Sequence, residues 1–232
     1  MSEWWTYRLE DFLLFSPRIY WRLVEAQNAA LWPLQLATTA AGLALILLIL
    51  RRPGVARLWT GLVLGLLWAF VAWSFLLQRY EPINWAMAYA VPAFFAQALM
   101  LLGAAALPGG PAFGRRDAIG ATGLALALAG LALYPVLPLV ASRRLASAEV
   151  FGLAPDPTAV VTLGLLLAAR GRWLAVLLPI PLLWCLFSGL TLRAMDEGQA
   201  WLLFAAAALV LLLAVLRLIP RGSRGDTPRA GA

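Results

Sequence analysis

The chain of 232 residues contains no histidine and no lysine, and Cys185 is its one cysteine. Without histidine there is no His-based triad, no His-ligated haem and no His-containing metal site. A single cysteine excludes an internal disulfide, a zinc cluster and a CxxC redox pair. With all 18 basic residues arginine, Schiff-base chemistry and a P-loop lysine are also absent. Charged residues of either sign are scarce, at 12% of the chain. No enzyme activity, cofactor or resident metal is therefore expected.

Apolar residues make up 63% of the sequence, against roughly 45–50% in soluble domains. The expected class is an all-α integral membrane protein, with the lipid bilayer as its first partner. Six apolar runs are long enough to span: 29–50, 58–77, 85–107, 118–140, 173–192 and 199–219. Trp32, Trp59, Trp85, Trp173 and Trp201 sit at or near the starts of runs, where an indole lies at headgroup level. A seventh run, 158–169, is short. The expected fold is thus seven transmembrane helices with the fifth short or discontinuous.

Residues 1–28 do not read as a signal peptide, because Glu3, Glu10 and Asp11 occupy the place of a basic n-region. Trp4, Trp5, Phe12, Phe15, Tyr20 and Trp21 alternate with charges, which predicts an amphipathic helix in the membrane interface. Ser16-Pro17 reads as an N-cap and an N1 proline opening a second short helix. The membrane bundle is expected over 29–220. Residues 221–232 are polar and aperiodic and are expected to be a disordered cytoplasmic tail.

Seven crossings separate the charges sharply. One side collects loops 51–57, 108–117 and 170–172 with the C-terminus, and carries 11 arginines and 2 acids. The other collects the N-terminus with loops 78–84, 141–157 and 193–198, and carries 7 arginines and 9 acids. The arginine bias puts the N-terminus outside and the C-terminus in the cytoplasm. It also accounts for the net charge of +7 without nucleic acid as a partner.

The most informative stretch is Glu149-Val-Phe-Gly152-Leu-Ala-Pro155-Asp156-Pro157-Thr158. Asp156-Pro157 reads as an N-cap followed by an N1 proline. Gly152 and the prolines make the preceding backbone irregular. Such backbone survives at membrane depth only when buried in protein or lining a wet cavity, and broken helices of this kind form transporter sites. The alternative is an outer loop capped by its own aspartate, leaving Glu149 as the free carboxylate. Glu25, Arg79, Glu81, Asn84, Arg193, Asp196 and Glu197 fall on the same side. With Glu149 and Asp156 they would line an outward-facing acidic vestibule suited to cations, amines or a basic partner; the alternative is plain surface charge.

Within the runs, the few polar residues, Gln35, Ser74, Gln97, Ser188 and Thr162 among them, suit interhelical hydrogen bonds. Pro179-Ile180-Pro181 predicts a kink that frees carbonyls in the sixth run. Gly61-xxx-Gly65 permits close helix packing and is compatible with a homodimer.

The segments MSEWWTYRLEDFLLFSPRIYWRL, QRYEPINWA, EVFGLAPDPTAVVTLGLLLAA and PIPLLWCLFSGLTL together resemble a bacterial family of uncharacterised multi-spanning inner-membrane proteins, some labelled permeases. The resemblance covers nearly the whole chain, with GLAPDPT its most specific part. It implies a helical protein of the bacterial inner membrane and no established substrate or catalytic residue. Two functions are expected: a small permease-like transporter, or an accessory or assembly subunit with a membrane-protein partner.

Overall fold

The computed structural model describes residues 13–114 and 117–218. The expected interfacial aromatics Trp4, Trp5 and Phe12 and the expected tail at 221–232 lie outside these. The described residues are helical, without a β-strand, and include six helical stretches long and apolar enough to cross a membrane: Leu34–Arg51, Pro53–Ile83, Met87–Ala106, Ala118–Val140, Leu174–Ala194 and Ala200–Arg217.

Prolines punctuate the chain. Helix α1 (Pro17–Ala30) opens on Ser16-Pro17 as the sequence predicts, although the Ser16 side chain makes no cap bond. Because α1 runs to Ala30, the first long helix, α2 (Leu34–Arg51), starts later than residue 29. Helix α3 (Pro53–Val71) again has proline in its first turn and continues as a π-helical stretch, Ala72–Tyr80, and a 3-10 turn, Glu81–Ile83. The remaining elements are α4 (Met87–Ala106), α5 (Ala118–Leu133), the short α6 (Leu137–Val140), α7 (Pro155–Ala168), α8 (Leu174–Leu177), α9 (Pro179–Ala194) and α10 (Ala200–Leu218).

The short run forms α7, and every one of its 14 residues is buried. A helix that is apolar all round belongs in a core or a bilayer. This one is enclosed by α5, α9, α10 and α3. Its closest neighbour is α5, where a Cβ on Gly164 would stand 2.5 Å from the Ala127 nitrogen and 2.6 Å from the Gly123 carbonyl oxygen. The two backbones touch there, and only glycine fits.

Gly61 and Gly65 do the same between α3 and α4: a Cβ on Gly61 would lie 2.6 Å from the Leu101 carbonyl oxygen. The Gly-xxx-Gly pair is thus used inside the chain. The Pro179-Ile180-Pro181 break divides α8 from α9. Proline at 181 cannot donate to the Leu177 carbonyl one turn back, and the Gln97 side chain of α4 donates to it instead (3.0 Å).

Tryptophan divides into two populations. Trp32, Trp59, Trp85 and Trp201 are exposed, whereas Trp68 and Trp184 are buried. Buried indoles need an acceptor. Trp68 finds Thr162 Oγ1 on α7 (2.9 Å) and packs on Phe94, which in turn meets Trp184 edge-on.

Candidate functional site

The irregular segment before α7 is held by few bonds, each specific. Gly152 takes φ +78°, and a Cβ there would lie 2.8 Å from Leu67 Cδ2 and 3.2 Å from Thr38 Cβ. Glycine is needed on both counts. Its N–H donates to Thr158 Oγ1 (2.8 Å), and that hydroxyl donates to the Ala154 carbonyl (2.7 Å). Thr158 therefore ties the loop to the first turn of the helix.

One local expectation is corrected. The helix begins at Pro155 with Ala154 as N-cap and no side-chain cap bond, so Asp156 does not cap its own helix. Pro155 is compatible with an earlier start than Pro157, because either proline can occupy a first-turn position. The freed Asp156 carboxylate turns into the bundle, where Trp184 Nε1 of α9 donates to Oδ1 (2.8 Å). Ser188 faces the same carboxylate, yet Oδ2 is fully buried without a hydrogen bond.

Glu149 lies at the other side of this turn and is 2% exposed. Tyr20 Oη of α1 donates to Oε1 (2.9 Å) and Gln199 Nε2, just before α10, to Oε2 (2.9 Å). The two carboxyls are near enough to interact electrostatically, and the Tyr20, Tyr80 and Tyr134 rings stand in the field of both. The Tyr134 hydroxyl is also buried without a partner.

Arginine enters one step removed. Arg143 Nη2 donates to Gln199 Oε1 (2.7 Å), its guanidinium covers the Trp21 ring at 3.3 Å, and it lies 3.9 Å from Glu197 Oε2. Trp21 Nε1 donates to the same Glu197 (2.7 Å). Burial lowers the Arg143 pKa from its ordinary value, against the opposing pull of Glu197 and Glu149.

Helix α1 closes this end. Gln27 donates to Ser74 Oγ (3.1 Å) and the Leu153 carbonyl (3.3 Å) and accepts from Arg79 Nε, while Asn28 donates to the Ala146 and Ala148 carbonyls. The aromatic face made by Phe15, Tyr20 and Trp21 is buried. Among the vestibule residues, Arg79 and Glu197 join this network. Arg193 pairs with exposed Asp196 (3.4 Å). Asn84 accepts from the Ala86 N–H, and Glu25 and Glu81 are half-buried. The acid pair itself is sealed.

The opposite end is arginine-rich. Asp117 caps α5 by accepting from Gly120 N–H (2.8 Å), bonds Arg170, and lies 3.7 Å from Arg217 Nη2. Burial works against its charge, but the Gly120 bond and the two arginines hold its carboxyl below the ordinary value. Arg217 Nη1 also donates to the Ala169 carbonyl at the end of α7 (2.6 Å).

Tyr20, Arg143, Trp184 and Gln199 around the acids, and Asp117 opposite, were not among the sequence candidates. Trp184 gave a signal, since an indole in mid-run needs a buried acceptor. Gln199 and Asp117 gave none, because their partners are remote in sequence.

The architecture is that of an all-helical chain compatible with a multi-pass membrane protein, with two buried acids beside a central short helix. The chain belongs to a family of unknown function, DUF6064, whose profile matches residues 17–222. The match carries no permease label. No curated protein and no solved structure matches the chain.

Proposed function

We propose that the chain is a seven-span, permease-like protein of the inner membrane in which Glu149 and Asp156 form a cation or amine site, closed on its outer side by α1. The observation that carries this reading is the Asp156 Oδ2 atom, fully buried in the bundle without a hydrogen bond from any described residue. Native interiors rarely leave a carboxylate oxygen unpaired. Burying two acids costs several kcal/mol each unless positive charge or protons compensate. Trp184 satisfies one oxygen of Asp156, and Tyr20 and Gln199 one each of Glu149, but none of the three donors carries charge.

The span count draws support from how the loops gather. Residues 146–154, 74–79 and 197–199 meet α1 at one end, whereas Arg57 bonds the Leu107 carbonyl and Ala112 pairs with Arg170 at the other. Helix α7 runs between the two clusters. At 14 residues and 1.5 Å each it covers about 21 Å, less than the roughly 30 Å of hydrocarbon, so its outer end lies below the surface under α1, the interfacial helix. In this reading the N-terminus is outside and the arginine-rich end cytoplasmic. The outward vestibule is then an occluded site that opens when α1 lifts. Of the aromatic segment that an accessory-subunit reading takes as its docking surface, Phe15, Tyr20 and Trp21 are buried against the chain's own bundle, while Trp4, Trp5 and Phe12 lie outside the described residues.

The test is electrophysiology on solid-supported proteoliposomes, with concentration jumps of Na⁺, K⁺, H⁺ and methylammonium. Transient currents are expected for the native protein, with loss in Asp156→Asn and reduction in Glu149→Gln. Silence of the native protein toward all four, or full currents in Asp156→Asn, would overturn the proposal.

A further inference from the structure

The arginine-rich end holds a second feature. A cleft of about 390 Å³ opens between the end of α7, α8 and α10. Its charged lining is Arg170, Arg172 and Arg217, and its apolar walls include Leu167, Leu174 and Leu178. Among the described residues Asp117 is the acid that reaches Arg170 and Arg217, so there three positive charges face one negative. Arg170 Nε and Arg217 Nε and Nη2 are buried without a hydrogen-bond acceptor among the described residues.

A guanidinium is a rigid fork of donors that matches phosphate oxygens. Arg217 is already fixed by its bond to the Ala169 carbonyl (2.6 Å), so it is pre-organised. The walls argue against a purely aqueous ligand, since leucines beside a basic mouth suit a molecule with an anionic head and an apolar stem. Basic clefts between membrane helices on the cytoplasmic side have this character for acidic lipids.

We infer that the Arg170–Arg172–Arg217 cleft binds the phosphate headgroup of an acidic phospholipid of the inner leaflet, with the glycerol and upper acyl chain against the leucine walls. The inference is independent of transport. It rests on the membrane reading, but binding measured in detergent does not depend on which way the protein is inserted, so the two fail separately.

The experiment uses the delipidated full chain in a neutral detergent, titrated with phosphatidylglycerol, phosphatidylcholine or inorganic phosphate, with bound lipid counted by native mass spectrometry and Tm followed in parallel. Phosphatidylglycerol is expected to bind and raise Tm, and phosphatidylcholine to bind at least tenfold more weakly. Arg172 is exposed, so Arg172→Gln leaves the fold intact and is expected to weaken phosphatidylglycerol binding about tenfold through one lost charge-assisted contact. Arg144→Gln removes an exposed arginine at the opposite end and is expected to change nothing. Equal binding of the two lipids, native affinity in Arg172→Gln, or an equal loss in Arg144→Gln would overturn the assignment. An equal Tm rise with inorganic phosphate would assign the cleft to a soluble phosphate and overturn the lipid reading.

Discussion

The contact between α5 and α7 makes Gly164→Ala the sharpest probe of the fold. In an open helix this change stabilises by about 0.5–1 kcal/mol, because glycine is conformationally costly there. At position 164 the added methyl would meet the Ala127 nitrogen at 2.5 Å and the Gly123 oxygen at 2.6 Å. Both are backbone atoms, which cannot rotate away, so the two helices must separate. Overpacking of this kind costs up to about 3 kcal/mol, leaving a net loss of roughly 2 kcal/mol after the helix gain is subtracted. At about 2–4 °C per kcal/mol for a chain of this size, Tm in detergent is expected to fall by about 4–8 °C. Gly103→Ala is the matched control, since the nearest atom to its new methyl is Leu107 Cδ1 at 4.0 Å. Tm is expected to rise slightly there. If Gly164→Ala were as stable as Gly103→Ala, the close α5–α7 contact described above would be wrong.

Three further outcomes are expected. Thr158→Val keeps the shape but removes the acceptor for the Gly152 N–H and the donor to the Ala154 carbonyl; a loss of about 1–3 kcal/mol is expected in thermal unfolding, with Thr158→Ser restoring most of it. Asp117 has a lowered carboxyl pKa in the folded chain, through Gly120 and the two arginines, so its contribution to stability is present above the unfolded value and is lost as pH falls through the folded one. Stability measured from pH 6 downward should therefore decline below about pH 4, and Asp117→Asn should flatten that part of the curve. Cys185 is buried, so maleimide labelling in detergent should be negligible until the bundle is denatured; rapid labelling of the native protein would contradict the packing of α9.

Much of this fold is legible in the sequence because hydrophobic length is a one-dimensional property. The six long helices fall where the apolar runs lie, with differences at ends that packing decides. Ala29 and Ala30 read as part of the first run but finish α1, and the run beginning at 58 extends through a π-helical stretch to Tyr80. The break around Gly152 and Pro155 was legible, since proline and glycine act locally. What Asp156 does was not. Its sequence neighbourhood favours a cap, and its partner Trp184 is 28 residues away. The burial of the acid pair was equally hidden, because it depends on α1 folding back through Tyr20 across 129 residues to Glu149. A surface loop and a sealed site have the same composition. The Gly61–Gly65 pair likewise has a clear meaning, close helix contact, but only the fold names α4 as the helix it meets.

The proposed function stands on the Asp156 carboxylate as a site for a positive charge. The most direct measurement is infrared difference spectroscopy of the reconstituted protein, perfused alternately with and without Na⁺, K⁺ or methylammonium at constant pH. A cation-induced change in a carboxyl band is expected, absent in Asp156→Asn and retained in Asp196→Asn, whose carboxylate is exposed. A native protein whose carboxyl bands respond to none of these cations, or a response that survives in Asp156→Asn, would contradict it.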